Sequence, residues 1–163
     1  MMKKKALFCG SFYPPTLGHL DIIRRACPFF SHLYVAIAEN PNKTPPLLPI
    51  EERKKMLLLI TNNLPSVIVT SFDTLAVDFA KKEGIEVLVR ALRNSEDWER
   101  EYAMAVANRK ISGLETLFLA ADPSFAHIHA EIVREIAHFG GNLAGFVPHE
   151  IEKIVAERLK GLS

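Results

Sequence analysis

Apolar residues along this chain gather in short, near-continuous runs rather than in alternation with polar ones. Ala6 to Cys9, Leu33 to Ala38, Val67 to Phe72, Val87 to Val89 and Thr116 to Leu119 are of this kind. Uninterrupted runs suit strands covered on both faces, as in a parallel sheet. Between them the pattern becomes helical: His19 to Cys27, Ile50 to Asn62, Thr74 to Glu83 closed by Gly84, and Ser95 to Ile111, opened by Ser95 with acidic residues in its first turn. Two further helices, Ala130 to Phe139 ending at Gly140-Gly141 and Pro148 to Leu159 ending at Gly161, finish the chain with no clear strand between them. Strand and helix alternate, which predicts an α/β fold: a doubly wound five-stranded parallel sheet with right-handed crossovers and C-terminal helices.

Composition narrows this picture. The 163 residues, 48% of them hydrophobic, suffice for one full core, so residues 1–163 are expected to form one domain. The longest irregular stretch, Asn40 to Pro49 with four prolines, reads as a functional loop rather than a linker. Twenty Lys and Arg against nineteen Asp and Glu leave a formal charge of +1, which argues against nucleic acid or an anionic membrane as partner. Any phosphate binding must be local. No segment approaches the ~20 apolar residues of a membrane span, and the apolar run after Lys3-Lys4-Lys5 is too short for a secretory signal, so a cytoplasmic protein is expected. Cys9 and Cys27 form neither a C-x-x-C pair nor a disulfide framework and read as reduced, buried thiols.

The chemistry starts where the first strand ends. Gly10-Ser11-Phe12-Tyr13-Pro14-Pro15-Thr16-Leu17-Gly18-His19 leaves the first apolar run and enters the first helix. In a doubly wound sheet ligands bind beyond the carboxyl ends of the strands, where strand order reverses. Gly10 and Ser11 permit close backbone approach, and a helix opening at Gly18-His19 offers free N–H groups and a dipole that favour an anion. A phosphate fits, with His19 as a hydrogen-bond donor. Arg90 and Arg93 close the fourth strand, and a reversal between the first and fourth strands brings them opposite His19.

The stretch S-F-x-P-x-T-x-G-H resembles the T-x-G-H form of the nucleotidyltransferase signature, specifically that of the bacterial phosphopantetheine adenylyltransferases. Asn40-Pro41-Asn42-Lys43, Glu51-Glu52-Arg53, Phe72-Asp73-Thr74-Leu75, Val89-Arg90-Ala91-Leu92-Arg93, Asp97-Trp98-Glu99-Arg100-Glu101, Asn108-Arg109 and Val133-Arg134-Glu135 follow that family's pattern in order and spacing. The resemblance implies a Rossmann-like nucleotidyltransferase fold and transfer of AMP from ATP to 4′-phosphopantetheine, giving dephospho-coenzyme A and pyrophosphate in coenzyme A biosynthesis. It implies Mg²⁺ arriving with ATP and held by phosphate oxygens and water, with no protein metal site. It also implies coenzyme A as a further ligand and a homo-oligomer, a hexamer of two trimers.

Residue by residue, the resemblance assigns catalysis to His19, Lys43 and Arg93. His19 would hydrogen-bond the α-phosphate and Lys43 would neutralise phosphate charge. The pantetheine substrate would be held by Ser11, Lys43, Leu75, Ala76 and Arg90. ATP would be held by Ser11, Phe12, His19, Ala91, Leu92, Arg93, Glu101 and the run Phe125, Ala126, His127, Ile128, His129, Ala130, Glu131.

The chain also departs from the family. The second signature, I-S-S-[S/T]-x-x-R, here reads Ile128-His129-Ala130-Glu131-Ile132-Val133-Arg134: the arginine survives and the serines do not. Glu131 brings a carboxylate toward a polyanion, and His129 and His127 are candidate replacement donors. Tyr13, Leu17 and Ala91 stand where the family usually has Asp, Asn and Gly. Two alternatives follow: a nucleotidyltransferase with another acceptor, or a non-catalytic module that binds pantetheine or coenzyme A.

Overall fold

A computed structural model describes residues 4–39 and 47–161. Strands β1 (Lys5–Gly10), β2 (His32–Ala38), β3 (Val67–Phe72), β4 (Val87–Leu92) and β5 (Glu115–Ala120) form one parallel sheet in the order β3-β2-β1-β4-β5. Helices α1 (Leu17–Ala26), α2 (Ile50–Thr61), α3 (Ala76–Glu83), α4 (Ser95–Ser112), α5 (Ala130–His138) and α6 (His149–Leu159) flank it. The chain builds outward from β1 to β3 and then returns to add β4 on the other side of β1. Strand order therefore reverses between β1 and β4, and the Rossmann-like arrangement opens a crevice at their carboxyl ends.

The apolar runs are continuous because both sheet faces are buried. Ala6 and Phe8 of β1 join a cluster with Leu20 and Ile23 of α1, Met56 and Leu57 of α2, Val133 of α5 and Val155 of α6. Leu7, between them, points to the other face and packs with Val77 and Ala80 of α3. This is the period-2 alternation of a strand with no polar side to expose.

Local chemistry shifts some boundaries. Thr16 caps α1, so the helix begins at Leu17 and His19 becomes its third residue rather than its opening one. Pro28 tightens the expected end of that helix into a separate 3-10 turn, Cys27–Phe29. Helix α3 begins at Ala76, two residues later than the pattern predicts, with Leu75 as its extended N-cap residue.

Helix α4 is the unusual element. Among its 18 residues the buried ones are Asp97 and Glu101, four apart on one face. A helix that turns two carboxylates inward needs cations to receive them.

Candidate active site

The turn after β1 is fixed from below. Phe12 has φ 45°, a left-handed conformation uncommon for an aromatic residue. Its buried ring holds it there, edge-on to His19 at 4.9 Å and to Phe8 at 5.8 Å between centroids. The carbonyl of Ser11 accepts a hydrogen bond from Nη1 of Arg53 at 2.8 Å. Arg53 of α2 is only 2% exposed; its Nε donates to the Leu48 carbonyl at 2.9 Å, and its Nη2 lies 3.5 Å from a Glu39 carboxylate oxygen. One buried guanidinium thus ties the turn after β1 to the residue following β2 and to the chain entering α2.

At the start of α1, Thr16 and His19 cap each other. The Thr16 hydroxyl accepts from the His19 backbone N–H at 3.3 Å, and the Thr16 backbone N–H donates to Nδ1 of His19 at 3.0 Å. Burial, then the nearby charges of Arg93 and Arg90, lower the His19 pKa from 6.5 to about 4. The ring is neutral at physiological pH, and with Nδ1 accepting, its proton sits on Nε2.

Across the crevice, the two arginines are locked by α4. Arg90 donates from Nε and Nη2 to the carboxylate of Glu101 at 2.6 and 2.8 Å, and from Nη1 to the Cys9 carbonyl at 2.6 Å. It therefore bridges β4 to β1 at the point where strand order reverses. Arg93, just past β4, donates from Nε and Nη2 to Asp97 at 2.7 and 2.9 Å. Those bonds hold the Asp97 carboxyl below the ordinary aspartate range. Asn94 caps α4 by accepting from the Asp97 N–H at 2.9 Å, which sets the turn on which the pair is built. Both buried carboxylates of α4 meet a guanidinium as bidentate pairs.

A cavity of about 640 Å³ opens on the α3 and α4 side of the sheet, lined by Cys9, Leu75, Ala76, Arg90, Glu101 and Met104 among others. Burial pushes the Cys9 thiol pKa up, so it lines this space as an unionised group.

The segment before α5 closes the other side of the crevice. Phe125 lies against Gly18, where an added Cβ would meet the Phe125 carbonyl and Cβ at 3.8 Å. Ile128 is buried, while the His127 ring is exposed and faces Phe146 edge-on at 6.1 Å. His129 is the N-cap residue of α5 and its Nδ1 lies 3.0 Å from Nη1 of Arg93. Ala130 and Glu131 form the first turn of α5, with Glu131 exposed. Arg134 turns toward the β1 loop, donating to the Tyr13 carbonyl at 2.6 Å with its guanidinium 4.5 Å above the Tyr13 ring.

His19, Arg90, Arg93 and His129 thus meet at one crevice, and Leu75, Ala76, Arg90 and Glu101 share the adjoining cavity. Ala91 and Leu92 are the last two residues of β4, half-buried and paired with Leu119 and Ala120 of β5. Ser11 is exposed at the turn. Lys43 lies outside the described residues. Glu101, placed on the nucleotide side by the family resemblance, pairs with Arg90 and lines the cavity that Leu75 and Ala76 also line. Sequence reasoning gave no role to Arg53, Asp97 or Thr16. Arg53 carries a readable signal, because with Met56, Leu57 and Ile60 it falls at i, i+3, i+4 and i+7, on the buried stripe of α2.

The family described as cytidylyltransferase-like matches residues 7–150. The phosphopantetheine adenylyltransferase of Symbiobacterium thermophilum is 46% identical over 145 residues, covering 88% of this chain and 89% of its own length. That of Lachnoclostridium phytofermentans is 39% identical over 159 residues, covering 97% of each chain. Among solved structures, a putative nicotinate-nucleotide adenylyltransferase from Vibrio parahaemolyticus superposes with a TM-score of 0.70 at 19% identity, covering 97% of this chain and 95% of that one. At that identity the likeness speaks for the fold alone.

Proposed function

This chain belongs to the phosphopantetheine adenylyltransferases of the cytidylyltransferase-like family, and from that premise we propose that it transfers AMP from ATP to 4′-phosphopantetheine, forming dephospho-coenzyme A and pyrophosphate. The observation that carries the reading is the meeting of a neutral, donor-fixed His19 with Arg90 and Arg93 at the β1/β4 crevice, beside a cavity of about 640 Å³.

An oxygen of the acceptor phosphate attacks the α-phosphorus of ATP, a new P–O bond forms, and the bond to the β-phosphate oxygen breaks to release pyrophosphate. Negative charge grows on the α-phosphate oxygens and on the leaving group, so catalysis rests on placement and positive electrostatics rather than on a covalent nucleophile. His19 donates Nε2–H to the α-phosphate without first having to lose or gain a proton. Arg93 offers the N–H groups left free by Asp97 and His129 to the ATP phosphates. Arg90 holds the acceptor phosphate at the mouth of the cavity, with Leu75 and Ala76 along the pantetheine arm. Ser11, Phe12, Ala91, Leu92 and the 125–131 segment frame the nucleotide, and Lys43 adds charge at the reacting phosphates.

Mg²⁺ enters as part of the ATP substrate. Its phosphate oxygens and water would hold it, the buried carboxylates of Asp97 and Glu101 being engaged by Arg93 and Arg90. Among the described residues no helix is long and apolar enough to cross a membrane. Residues 1–163 act as one nucleotidyltransferase domain, and the protein works as a homo-oligomer.

The test is pyrophosphate release together with dephospho-coenzyme A formation from ATP, Mg²⁺ and 4′-phosphopantetheine. Wild type is expected to turn over, with His19→Ala slower by about 10²–10³-fold, the usual cost of one transition-state donor. Folded wild-type protein that binds 4′-phosphopantetheine but makes no product, or that adenylylates a nicotinate mononucleotide instead, overturns the reading.

A further inference from the structure

We propose that Asp97 and His129 act together on Arg93 as the triphosphate clamp of this chain, with His129 supplying the donor that hydroxyl side chains would supply at a serine-bearing helix start. The inference rests on the adenylyltransferase reading and extends it to two residues with a specified division of labour. Helix α5 opens on Ile128-His129-Ala130-Glu131, with no hydroxyl among them. As N-cap residue His129 is extended, at φ −109° and ψ 134°, and its side chain makes no capping bond to the helix. Instead its Nδ1 faces Nη1 of Arg93 at 3.0 Å. A guanidinium has only donors, so Nδ1 is the acceptor and the ring proton sits on Nε2. The side chain that ordinarily would close the helix end is thereby turned into a fixed N–H donor.

Asp97 completes the arrangement from the opposite side by accepting from Nε and Nη2 of Arg93. Each of the three guanidinium nitrogens now has one protein acceptor, which fixes the plane of the group. Of the five N–H bonds of an arginine this leaves two without an acceptor among the described residues, one on each Nη. Together with Nε2–H of His129 they make three donors on a unit that joins the end of β4, the first turn of α4 and the start of α5. The N-terminal dipole of the nine-residue α5 adds to the same field. Asp97 is a positioning residue: its charge is spent on Arg93, so it orients the donors without opposing the anion.

The experiment is calorimetric titration of the full-length chain with MgATP in the absence of acceptor, paired with titration by 4′-phosphopantetheine and a thermal melt for each variant. Replacing His129 by Gln puts an amide N–H near the Nε2 position, whereas Asn keeps only an acceptor near Nδ1. Under the proposal His129→Gln binds ATP within about 3-fold of wild type and His129→Asn loses about 10-fold, the scale of one hydrogen bond to a charged group. Asp97→Asn weakens ATP about 10-fold, Asp97→Glu recovers most of it, and 4′-phosphopantetheine binds all four variants as it binds wild type. The reverse order of the two His129 variants would show that His129 merely props Arg93, and would overturn the clamp. So would four variants that bind ATP like wild type, or a parallel loss of ATP and 4′-phosphopantetheine with a lowered melting temperature. Wild type that binds ATP but forms no dephospho-coenzyme A overturns the assigned reaction and leaves the clamp standing.

Discussion

The Thr16 backbone N–H stands 3.0 Å from Nδ1 of His19, and this contact decides which nitrogen of the ring carries the proton. Burial and the charges of Arg93 and Arg90 then keep the ring neutral, with a pKa of about 4 against an ordinary 6.5. In the unfolded chain His19 takes up a proton near pH 6.5, and in the folded chain only near pH 4. Between those values the unfolded state binds more protons, so stability falls as pH drops from 6.5 toward 4, by up to about 1.4 kcal/mol per unit from this group. Urea midpoints at pH 7 and pH 5 should differ more for wild type than for His19→Asn. Equal differences would mean that His19 titrates normally in the folded state.

Arg53 should prove costly to remove. It is buried, and its loss would leave the Ser11 and Leu48 carbonyls without their donor while Glu39, more exposed, finds water. Leaving a buried acceptor without its donor typically costs about 1–3 kcal/mol. Arg53→Met is expected to lose stability on that scale in a chemical denaturation curve, with Arg53→Lys intermediate because it reaches fewer of the acceptors. A loss below about 1 kcal/mol, the scale of a surface pair, would show that the three contacts contribute little in solution.

The sheet and the crevice are legible in the chain because strands buried on both faces leave an unmistakable apolar signature, and parallel connectivity then confines ligands to one end. The arginines of β4 follow from the same topology. What pairs with them does not. Asp97 and Glu101 look in sequence like the acidic start of an ordinary solvated helix, and their inward face is decided by cations 4 and 11 residues away. The grip of Arg134 on Tyr13 spans 121 residues, and no local pattern encodes it. The two-residue offset of α1 arises from Thr16, whose hydroxyl competes successfully to cap the helix before Gly18.

Glu101 offers a direct test of which substrate it serves. Its carboxylate is engaged bidentately by Arg90, which also holds the Cys9 carbonyl. Glu101→Gln removes the charge that fixes Arg90 and should raise KM for 4′-phosphopantetheine by about 10-fold, the equivalent of about 1.4 kcal/mol, with KM for ATP changed far less. Steady-state kinetics with each substrate varied in turn separates the cases. A selective rise in the ATP value would return Glu101 to the nucleotide side.

The outer face of α4 carries a prediction about assembly. Trp98 and Tyr102, 47% and 53% exposed, lie one turn apart with ring centroids 5.4 Å apart, and Trp98 meets Phe118 of β5 edge-on at 5.5 Å. β5 is an edge strand of the sheet, and its Leu117 is 50% exposed. A contiguous aromatic patch beside an open strand edge is poorly suited to water, and a second copy of the chain would cover it in the oligomer implied by the family resemblance. Light scattering should therefore give a multiple of the 18.3 kDa chain mass. Trp98→Glu, which places a charge in the patch while leaving Arg90 and Arg93 untouched, should reduce that mass without unfolding the chain. A wild-type mass of one chain would remove oligomerisation from the account. A variant that keeps its full mass would place the contact between copies on another face.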